Sequence, residues 1–261
     1  MQSGYISGDD PHWQAIDFMG ISPDIEACRQ ATEAYRPILD RGLKENFNGK
    51  LLCLWPYGTQ VFYFKEPIKG LSDFKGKKIR VFTRPMAEFV SHFGATGVTL
   101  PFPDVYTSLQ KGVIDGAITG ALAGNTASWW EASSYLYTLP MGFSIQSHAV
   151  NLDFWNKLKP DQRDFLTKKF KELEDDFWKY GKEVEDDGIR CNTGGEPCKY
   201  GKKGNMTLIK PSKEDMGLMK KAAQDVILSN WAQECNKADP NCAEEWNETV
   251  GKVAGIKIKL P

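Results

Sequence analysis

The sequence predicts an α/β fold, because short apolar strands alternate with helical patterns in the middle of the chain. Residues 79–82 form a strand pattern, and the apolar side chains within 89–93 recur at helical spacing. A strand pattern at 98–100 follows, then a helical pattern over 102–112 and a further strand. This order is typical of an open α/β sheet. Ligands of such sheets bind at the carboxyl ends of the strands, which makes Arg80 a candidate site residue.

The length and charge balance of the chain restrict its class. With 261 residues, the chain can form one large domain or two smaller lobes with a substantial core. Lys and Arg number 33 against 34 Asp and Glu, a balance that argues against nucleic-acid binding and against a disordered acidic tail. The apolar runs are shorter than the roughly 18 residues that a membrane span needs, so we predict no membrane-spanning segment.

The cysteine spacing predicts two local disulfides. Four of the six cysteines form two pairs in polar loops, Cys191 with Cys198 and Cys235 with Cys242. Such short spans favour disulfides formed in an oxidising compartment. A four-cysteine zinc site is the alternative, although neither pair has the spacing typical of structural zinc. We expect Cys28 and Cys53, in a predicted helix and strand, to be buried thiols rather than a third bridge.

The segment before the α/β unit reads as one helix and two strands. Ser22 is the expected N-cap and Pro23 the first helical residue, and Pro37 is expected to bend or end this helix. Strand patterns follow at 50–55 and 61–64.

After the α/β unit, small residues fill the stretch 120–128, which ends in Trp129 and Trp130. This composition would let a ligand approach the backbone beneath an aromatic cover. The alternative is that both tryptophans only pack in the core.

A long amphipathic helix is predicted from Pro160 to about Val184, because apolar residues recur at spacings of four and three. The elements predicted around it are strands at 135–139 and 144–150, a cysteine loop at 188–205, a strand at 206–209, a helix from Ser212 with Asp215 at the capping-box position, a short helix around Trp246 and a strand at 256–260.

Arg80 carries the functional hypothesis. A guanidinium among strand residues is costly to bury unless an anion meets it. The pattern therefore indicates a recognition site for an anion, most simply a carboxylate held by two parallel hydrogen bonds. A structural ion pair with Asp115 or Glu88 is the other reading, and the residues alone do not decide between them.

Sequence motifs of enzymes are scarce. None of the three histidines, His12, His92 and His148, has metal-ligand spacing, and we predict no metal site. The sequence contains no G-x-S-x-G elbow, no P-loop and no G-x-G-x-x-G after a strand, so we predict neither enzyme activity nor a cofactor. The rival hypothesis is a secreted hydrolase that uses His148 with a nearby carboxylate.

The α/β unit resembles the periplasmic solute-binding proteins of TRAP transporters, the DctP-like family. The residues that carry this resemblance are FKGKKIR at 74–80 and YTSLQKGVIDG at 106–116. Residues 151–158 and the long charged helix are also similar to the family, and the likeness extends over most of 15–230. The resemblance implies a type II-like periplasmic binding fold, in which two α/β lobes are joined by hinge strands and a long helix. Lobe I would comprise 1–57 plus 145–184, and lobe II 58–144 plus 185–261.

The resemblance also implies a ligand site. Arg80 matches the arginine that holds the ligand carboxylate in the family, Phe102 a position that lines the pocket, and Thr119 one that assists with a polar side chain. A second arginine, frequent in sialic-acid binders, would fall at Gln60, which argues against sialic acid. The residues near ligand-facing segments of the family are Trp55, Tyr57, Trp129, Trp130 and Gln146.

The function implied is that of a non-catalytic receptor in the periplasm. It would bind a small organic anion and deliver it to the small and large membrane subunits of a TRAP transporter. A ligand-sensing ectodomain of the same fold is an alternative. Met1–Gly4 shows no start of a secretory signal peptide, which conflicts with the predicted disulfides. The expectation that resolves this conflict is that an N-terminal segment, with its signal peptide, is missing from this sequence.

Overall fold

A computed structural model describes residues 2–16, 18–22 and 24–259. The helices are α1 Ile25–Phe47, α2 Arg84–His92, α3 Val105–Gln110, α4 Ala121–Thr126, α5 Trp129–Ala132, α6 Leu152–Lys157, α7 Pro160–Asn192, α8 Lys213–Ala222, α9 Leu228–Ala238, α10 Cys242–Trp246 and α11 Lys252–Ala254. The strands are β1 Gly49–Pro56, β2 Gln60–Phe64, β3 Lys78–Val81, β4 Thr96–Thr99, β5 Gly116–Gly120, β6 Tyr135–Tyr137, β7 Ile145–Asn151 and β8 Thr207–Ile209.

The chain divides into two compact units. Unit 1 comprises Met1–Tyr57, Ser144–Gly181 and Leu228–Pro261. Unit 2 comprises Gly58–Phe143 and Lys182–Ile227. The fold is α/β, as the sequence predicted, and each unit is built from several separate chain segments.

Unit 1 is built on an antiparallel pair of strands. β1 pairs with β7 from Gly49 opposite Asn151 to Pro56 opposite Ile145, with an irregularity between Leu51 and Cys53. The buried face of α1 packs against β1, and Tyr35, Leu39 and Leu43 supply fully or almost fully buried side chains.

The helix α1 differs from the prediction at both ends. Its N-cap is Asp24, whose carboxylate accepts a hydrogen bond from the N–H of Ala27, and not Ser22. Pro23 lies outside the described residues. Pro37 sits inside α1, and the helix runs on to Phe47. Burial of Ile38, Leu39 and Leu43 beyond the proline continues the apolar stripe and offsets the hydrogen bond that the proline cannot make.

Unit 2 contains a mixed sheet with the strand order β4-β3-β5-β2-β6-β8. β3 runs parallel to β4 and to β5, β2 runs antiparallel to β5 and β6, and β6 runs parallel to β8. One face of the sheet carries a buried cluster that includes Val61, Tyr63, Leu109, Ile114 and Trp129. The strand–helix alternation predicted for residues 79–116 is confirmed.

The C-terminal region departs from the predicted lobes. The prediction placed 185–261 in lobe II, whereas Leu228–Pro261 belongs to unit 1. Two indoles explain this: the Nε1 of Trp231 donates to the carbonyl of Pro11 at 2.9 Å, and the Nε1 of Trp246 donates to the carbonyl of Ala15 at 2.9 Å.

The prediction of a strand at 256–260 is wrong for residues 256–259, the part of it that the structure describes. Residues 256–259 are irregular, and Leu260 lies outside the described residues. The side chain of Asn247 accepts from the N–H of Ile258 at 2.7 Å and donates to its carbonyl at 3.0 Å. The Asn247 amide thereby takes the place of a neighbouring strand.

The helices α7 and α8 begin where the sequence predicted. α7 extends past Val184 to Asn192, so it is longer than predicted. α8 starts with the predicted capping box, in which Ser212 and Asp215 bond reciprocally. None of the helices in the described part of the chain combines the length and apolar character that a membrane crossing needs.

Both predicted disulfides are present. Cys191 bonds to Cys198 with their Cα atoms 5.0 Å apart, and Cys235 bonds to Cys242 with their Cα atoms 5.8 Å apart. The paired sulfurs rule out the four-cysteine zinc alternative in this oxidised state. Cys28 and Cys53 are buried thiols outside these bridges.

Candidate functional site

Arg80 lies in the middle of the parallel part of the sheet in unit 2. It stands beside Val98 of β4 and Ala117 of β5, and only 2 % of its surface is exposed. Its Nε donates to the carbonyl of Leu100 at 3.1 Å, and its Nη1 donates to the carbonyl of Ile118 at 2.9 Å. These two bonds, to a carbonyl just after β4 and to one within β5, fix the plane of the guanidinium.

Aromatic rings border the guanidinium of Arg80. Its Cζ lies 4.8 Å from the ring centroid of Phe82 and 5.9 Å from that of Trp129, both within the range of cation–π attraction. The ring of Phe102 lies 5.1 Å from that of Trp129 and is 37 % exposed. The buried guanidinium of Arg80 is thus next to the buried indole of Trp129, which in turn contacts the partly exposed ring of Phe102.

Sequence reasoning did not name Phe82 as a site residue. The signal was available, because residues two apart on a strand share a face and Phe82 follows Arg80 at that spacing. Trp129 was predicted, and it is fully buried with its ring 5.5 Å from that of Tyr63. The indole of Trp129 therefore packs in the core and also borders the guanidinium of Arg80.

The strand register separates the polar candidates of unit 2 into two groups. Thr119 lies two residues after Ala117, which stands beside Arg80, so Thr119 and Arg80 share one face of the sheet. Gln60 stands opposite Gly120, one residue further along β5, and thus belongs to the other face. Its Nε2 donates to the carbonyl of Gly58 at 3.2 Å. Both residues are almost fully buried.

The carboxylates considered as ion-pair partners of Arg80 have contacts of their own. Asp115 accepts from the N–H of Lys78 at 2.7 Å, and Glu88 pairs with Arg84 at 2.7 Å. The Asp115 bond ties the start of β3 to the turn before β5.

The remaining candidates lie together in unit 1. Trp55 stands opposite Gln146 in the β1–β7 ladder, and its ring centroid is 6.3 Å from that of Tyr57. Phe177 of α7 stacks on Trp55 at 4.3 Å. Tyr57 is half exposed, and the Nε2 of Gln146 donates to the carbonyl of Ser144 at 3.5 Å. The group offers aromatic surface and one amide.

The surroundings of His148 are apolar and aromatic. Its Nδ1 accepts from the Nε1 of Trp55 at 3.1 Å and lies 3.3 Å from the Sγ of Cys53. Burial lowers the pKa of His148. Burial, and to a smaller extent the negative charge of Glu174, raises the pKa of Cys53 to about 11. Among the described residues, the side-chain hydrogen-bond partners of His148 are Cys53 and Trp55, and neither supplies the carboxylate that the hydrolase hypothesis requires.

Comparison with known proteins identifies the sequence relatives. The model of the family "Bacterial extracellular solute-binding protein, family 7" matches residues 1–234. The ectoine-binding periplasmic protein TeaA of Halomonas elongata is 34 % identical over 118 residues, which are 45 % of this chain and 35 % of that protein. The C4-dicarboxylate-binding periplasmic protein DctP of Rhodobacter capsulatus is 27 % identical over 166 residues, which are 62 % of this chain and 49 % of that protein. The alignments thus span between about a third and a half of these relatives.

Solved structures share the fold. A TRAP periplasmic solute-binding protein from Desulfovibrio salexigens with bound orotic acid superposes with a TM-score of 0.84 at 18 % identity, covering 97 % of this chain and 79 % of that one. The ectoine-binding protein of the Halomonas elongata TeaABC transporter gives a TM-score of 0.82 at 21 % identity, covering 98 % and 81 %. At these identities the likeness establishes the fold alone.

Proposed function

The chain belongs to the bacterial extracellular solute-binding proteins of family 7, and from that membership we propose that it is the solute receptor of a TRAP-type transporter. The receptor binds a small organic acid by its carboxylate and passes it to the small and large membrane subunits. It acts outside the cytoplasmic membrane and performs no chemistry on its ligand. The two disulfides support this location, because such bonds persist in oxidising compartments.

The observation that carries the proposal is the orientation of Arg80. Two neutral carbonyls hold its guanidinium in place, and a carboxylate would add an anionic acceptor with a planar geometry that matches the guanidinium. Burial of the site strengthens this attraction, since the effective dielectric constant is lower there than in water. Relatives that bind ectoine and C4-dicarboxylates by name, and neighbours solved with orotic acid or malonate, support a small carboxylate as ligand.

Phe82, Trp129 and Phe102 suggest what the ligand carries besides its carboxylate. Their rings lie beside or beyond the guanidinium, and aromatic faces stack on planar or apolar groups. Thr119, on the same face as Arg80, is the proposed additional polar contact to the ligand. Gln60, on the other face, and the unit 1 group of Trp55, Tyr57 and Gln146 remain predictions of ligand contact.

The test is calorimetric titration of the full chain with mono- and dicarboxylates, keto acids, sugar acids and aromatic acids. For an acid that binds, we expect Arg80→Lys and Arg80→Ala to weaken affinity by about tenfold or more, because one buried charge-assisted pair is lost or rearranged. Arg84→Lys is the matched control: this exposed arginine is four residues away and pairs with Glu88. Unchanged affinity in both Arg80 variants, with reduced thermal stability, would assign Arg80 to a structural ion pair instead.

A further inference from the structure

A cluster of polar side chains belongs to unit 1, whereas Arg80 belongs to unit 2, and the cluster has no part in the proposed function. It joins the N-terminal segment to the connection between α9 and α10. His12 is 8 % exposed and Asp10 is 2 % exposed, and Asp239 and Glu245 are partly exposed. A nitrogen of His12 and one oxygen each of Asp239 and Glu245 all lie within 4.8 Å of one another.

The imidazole of His12 is oriented by Asp10. Its Nδ1 lies 2.7 Å from the Oδ1 of Asp10, and the same oxygen accepts from the N–H of His12 at 3.1 Å. A carboxylate on Nδ1 favours the tautomer that carries its proton there, which leaves a lone pair on Nε2. Histidine ligands of metal ions are commonly held in this way.

The Nε2 of His12 is buried, and among the described residues it has no hydrogen-bond partner. Its nearest charged neighbour is the Oδ2 of Asp239 at 3.5 Å. A nitrogen lone pair facing a carboxylate is unfavourable unless a proton or a metal ion lies between the two atoms. Two ligand atoms at normal distances from a tetrahedral zinc ion are about 3.4 Å apart, which matches this separation.

The surroundings of the cluster are strongly acidic. A cavity of about 220 Å³ opens beside His12, and its lining includes the carboxylates of Asp9, Asp10, Glu45 and Asp239. Among the described residues that line this cavity, Arg41 carries the one fixed positive charge. The excess of negative charge favours a divalent cation, and the cavity leaves room for water as its fourth ligand.

A disulfide and the side chain of Arg41 hold the carboxylates of Asp239 and Glu245 in place. The disulfide between Cys235 and Cys242 closes the loop that carries Asp239 and precedes Glu245. Arg41 donates to both oxygens of Glu245 at 2.7 Å and lies 3.5 Å from the Oδ2 of Asp239. Arg41 is therefore a competitor for any cation that binds Glu245.

We propose that His12, Asp239 and Glu245 form a binding site for a zinc-class divalent cation, with Asp10 as the residue that positions His12. Imidazole and carboxylate ligands suit Zn²⁺ and its neighbours in the first transition series. The bound ion joins residues 10–14 to the α9–α10 connection and stabilises unit 1. This site is independent of carboxylate binding at Arg80.

The test titrates Zn²⁺ into the full chain after removal of metal with EDTA, in the absence of reductant. A count of two reduced thiols, Cys28 and Cys53, verifies that the disulfides are intact and that no cysteine pair supplies a zinc site. We expect one saturable ion per chain in calorimetry and a melting temperature that rises with Zn²⁺ concentration.

Four variants decide the assignment. His12→Gln and the less buried Asp239→Asn should each weaken Zn²⁺ binding by about tenfold or more. His92→Gln, at an exposed histidine, should leave it unchanged. Arg41→Gln should bind Zn²⁺ at least as tightly as the unmodified chain, because it removes the competing cation. Absence of saturable binding to the unmodified chain would overturn the proposal, and so would a Zn²⁺ affinity in His12→Gln and Asp239→Asn that is unchanged from that of the unmodified chain.

Discussion

The guanidinium carbon of Arg80 lies 5.9 Å from the ring centroid of Trp129, and both side chains are buried on one face of the sheet in unit 2. Trp129 also contacts Tyr63 and Phe102 through its ring. The tryptophan thus belongs to the hydrophobic cluster and to the surroundings of the arginine. The two readings given to it by the sequence, core packing and ligand cover, are compatible.

Replacement of Trp129 tests its part in the core. Trp129→Ala should lower the free energy of unfolding by about 3–5 kcal/mol, because a fully buried indole is lost and a cavity remains. Phe102→Ala should cost clearly less, since that ring is 37 % exposed. Urea unfolding measures both variants, and equal losses would contradict the central position of Trp129.

Asp215 gives unit 2 a defined pH dependence. Burial alone would raise the pKa of this carboxyl, but bonds from the N–H of Leu71, the N–H of Ser212 and the hydroxyl of Ser212 hold its pKa below the ordinary value of 3.8. A carboxyl with a lowered pKa in the folded state stabilises that state above 3.8, and this contribution is lost as the pH falls toward the folded-state pKa.

Asp215→Asn should therefore lower the free energy of unfolding at neutral pH by about 1.5–3 kcal/mol. The difference from the unmodified chain should shrink as the pH falls below 3.8. Urea unfolding at a series of pH values measures this difference. Asp176→Asn, at an exposed position in the interior of α7, is the control and should shift neither stability nor its slope with pH. A difference that stays constant down to acidic pH would contradict the role of the Asp215 charge.

The two disulfides close loops of equal length, seven residues apart in sequence. If closure of the loop in the unfolded chain is the main effect, the double variants Cys191→Ser/Cys198→Ser and Cys235→Ser/Cys242→Ser should each lose about 2–3 kcal/mol. Urea unfolding compares them. A loss confined to one pair would indicate that local packing, and not loop closure, sets the contribution.

The features predicted well from the sequence are those encoded by neighbouring residues. The strand–helix alternation of 79–116, the capping box of Ser212 and Asp215 and the two cysteine pairs depend on contacts within a few residues or on one regular period. Such patterns are visible without knowledge of the tertiary contacts.

The features that were missed depend on distant segments. The buried stripe around Pro37 needs β1, and the return of residues 228–261 to unit 1 depends on indole bonds to residues 11 and 15. The face on which Gln60 lies follows from strand register, which residue types alone do not determine. The helices α4 and α5 in the stretch rich in small residues were likewise not predicted.

Two helical glycines offer a matched test of packing in unit 2. A Cβ at Gly188 of α7 would lie 2.8 Å from the carbonyl carbon of Ala121 and 2.9 Å from the Cα of Leu122. These are backbone atoms of α4, which cannot rotate away as a side chain can. At Gly217 of α8, no heavy atom lies within 4 Å of the added Cβ.

The same substitution should therefore have opposite effects at the two positions. Gly188→Ala should destabilise the protein by about 1–3 kcal/mol, because the overpacked Cβ forces α7 and the start of α4 apart. Gly217→Ala should stabilise it by about 0.5–1 kcal/mol, since alanine restricts the unfolded chain and favours the helix. Urea unfolding of both variants measures the two changes. A stabilising Gly188→Ala would show that α7 and α4 are not packed backbone to backbone, and the close approach that requires glycine at 188 would then be wrong.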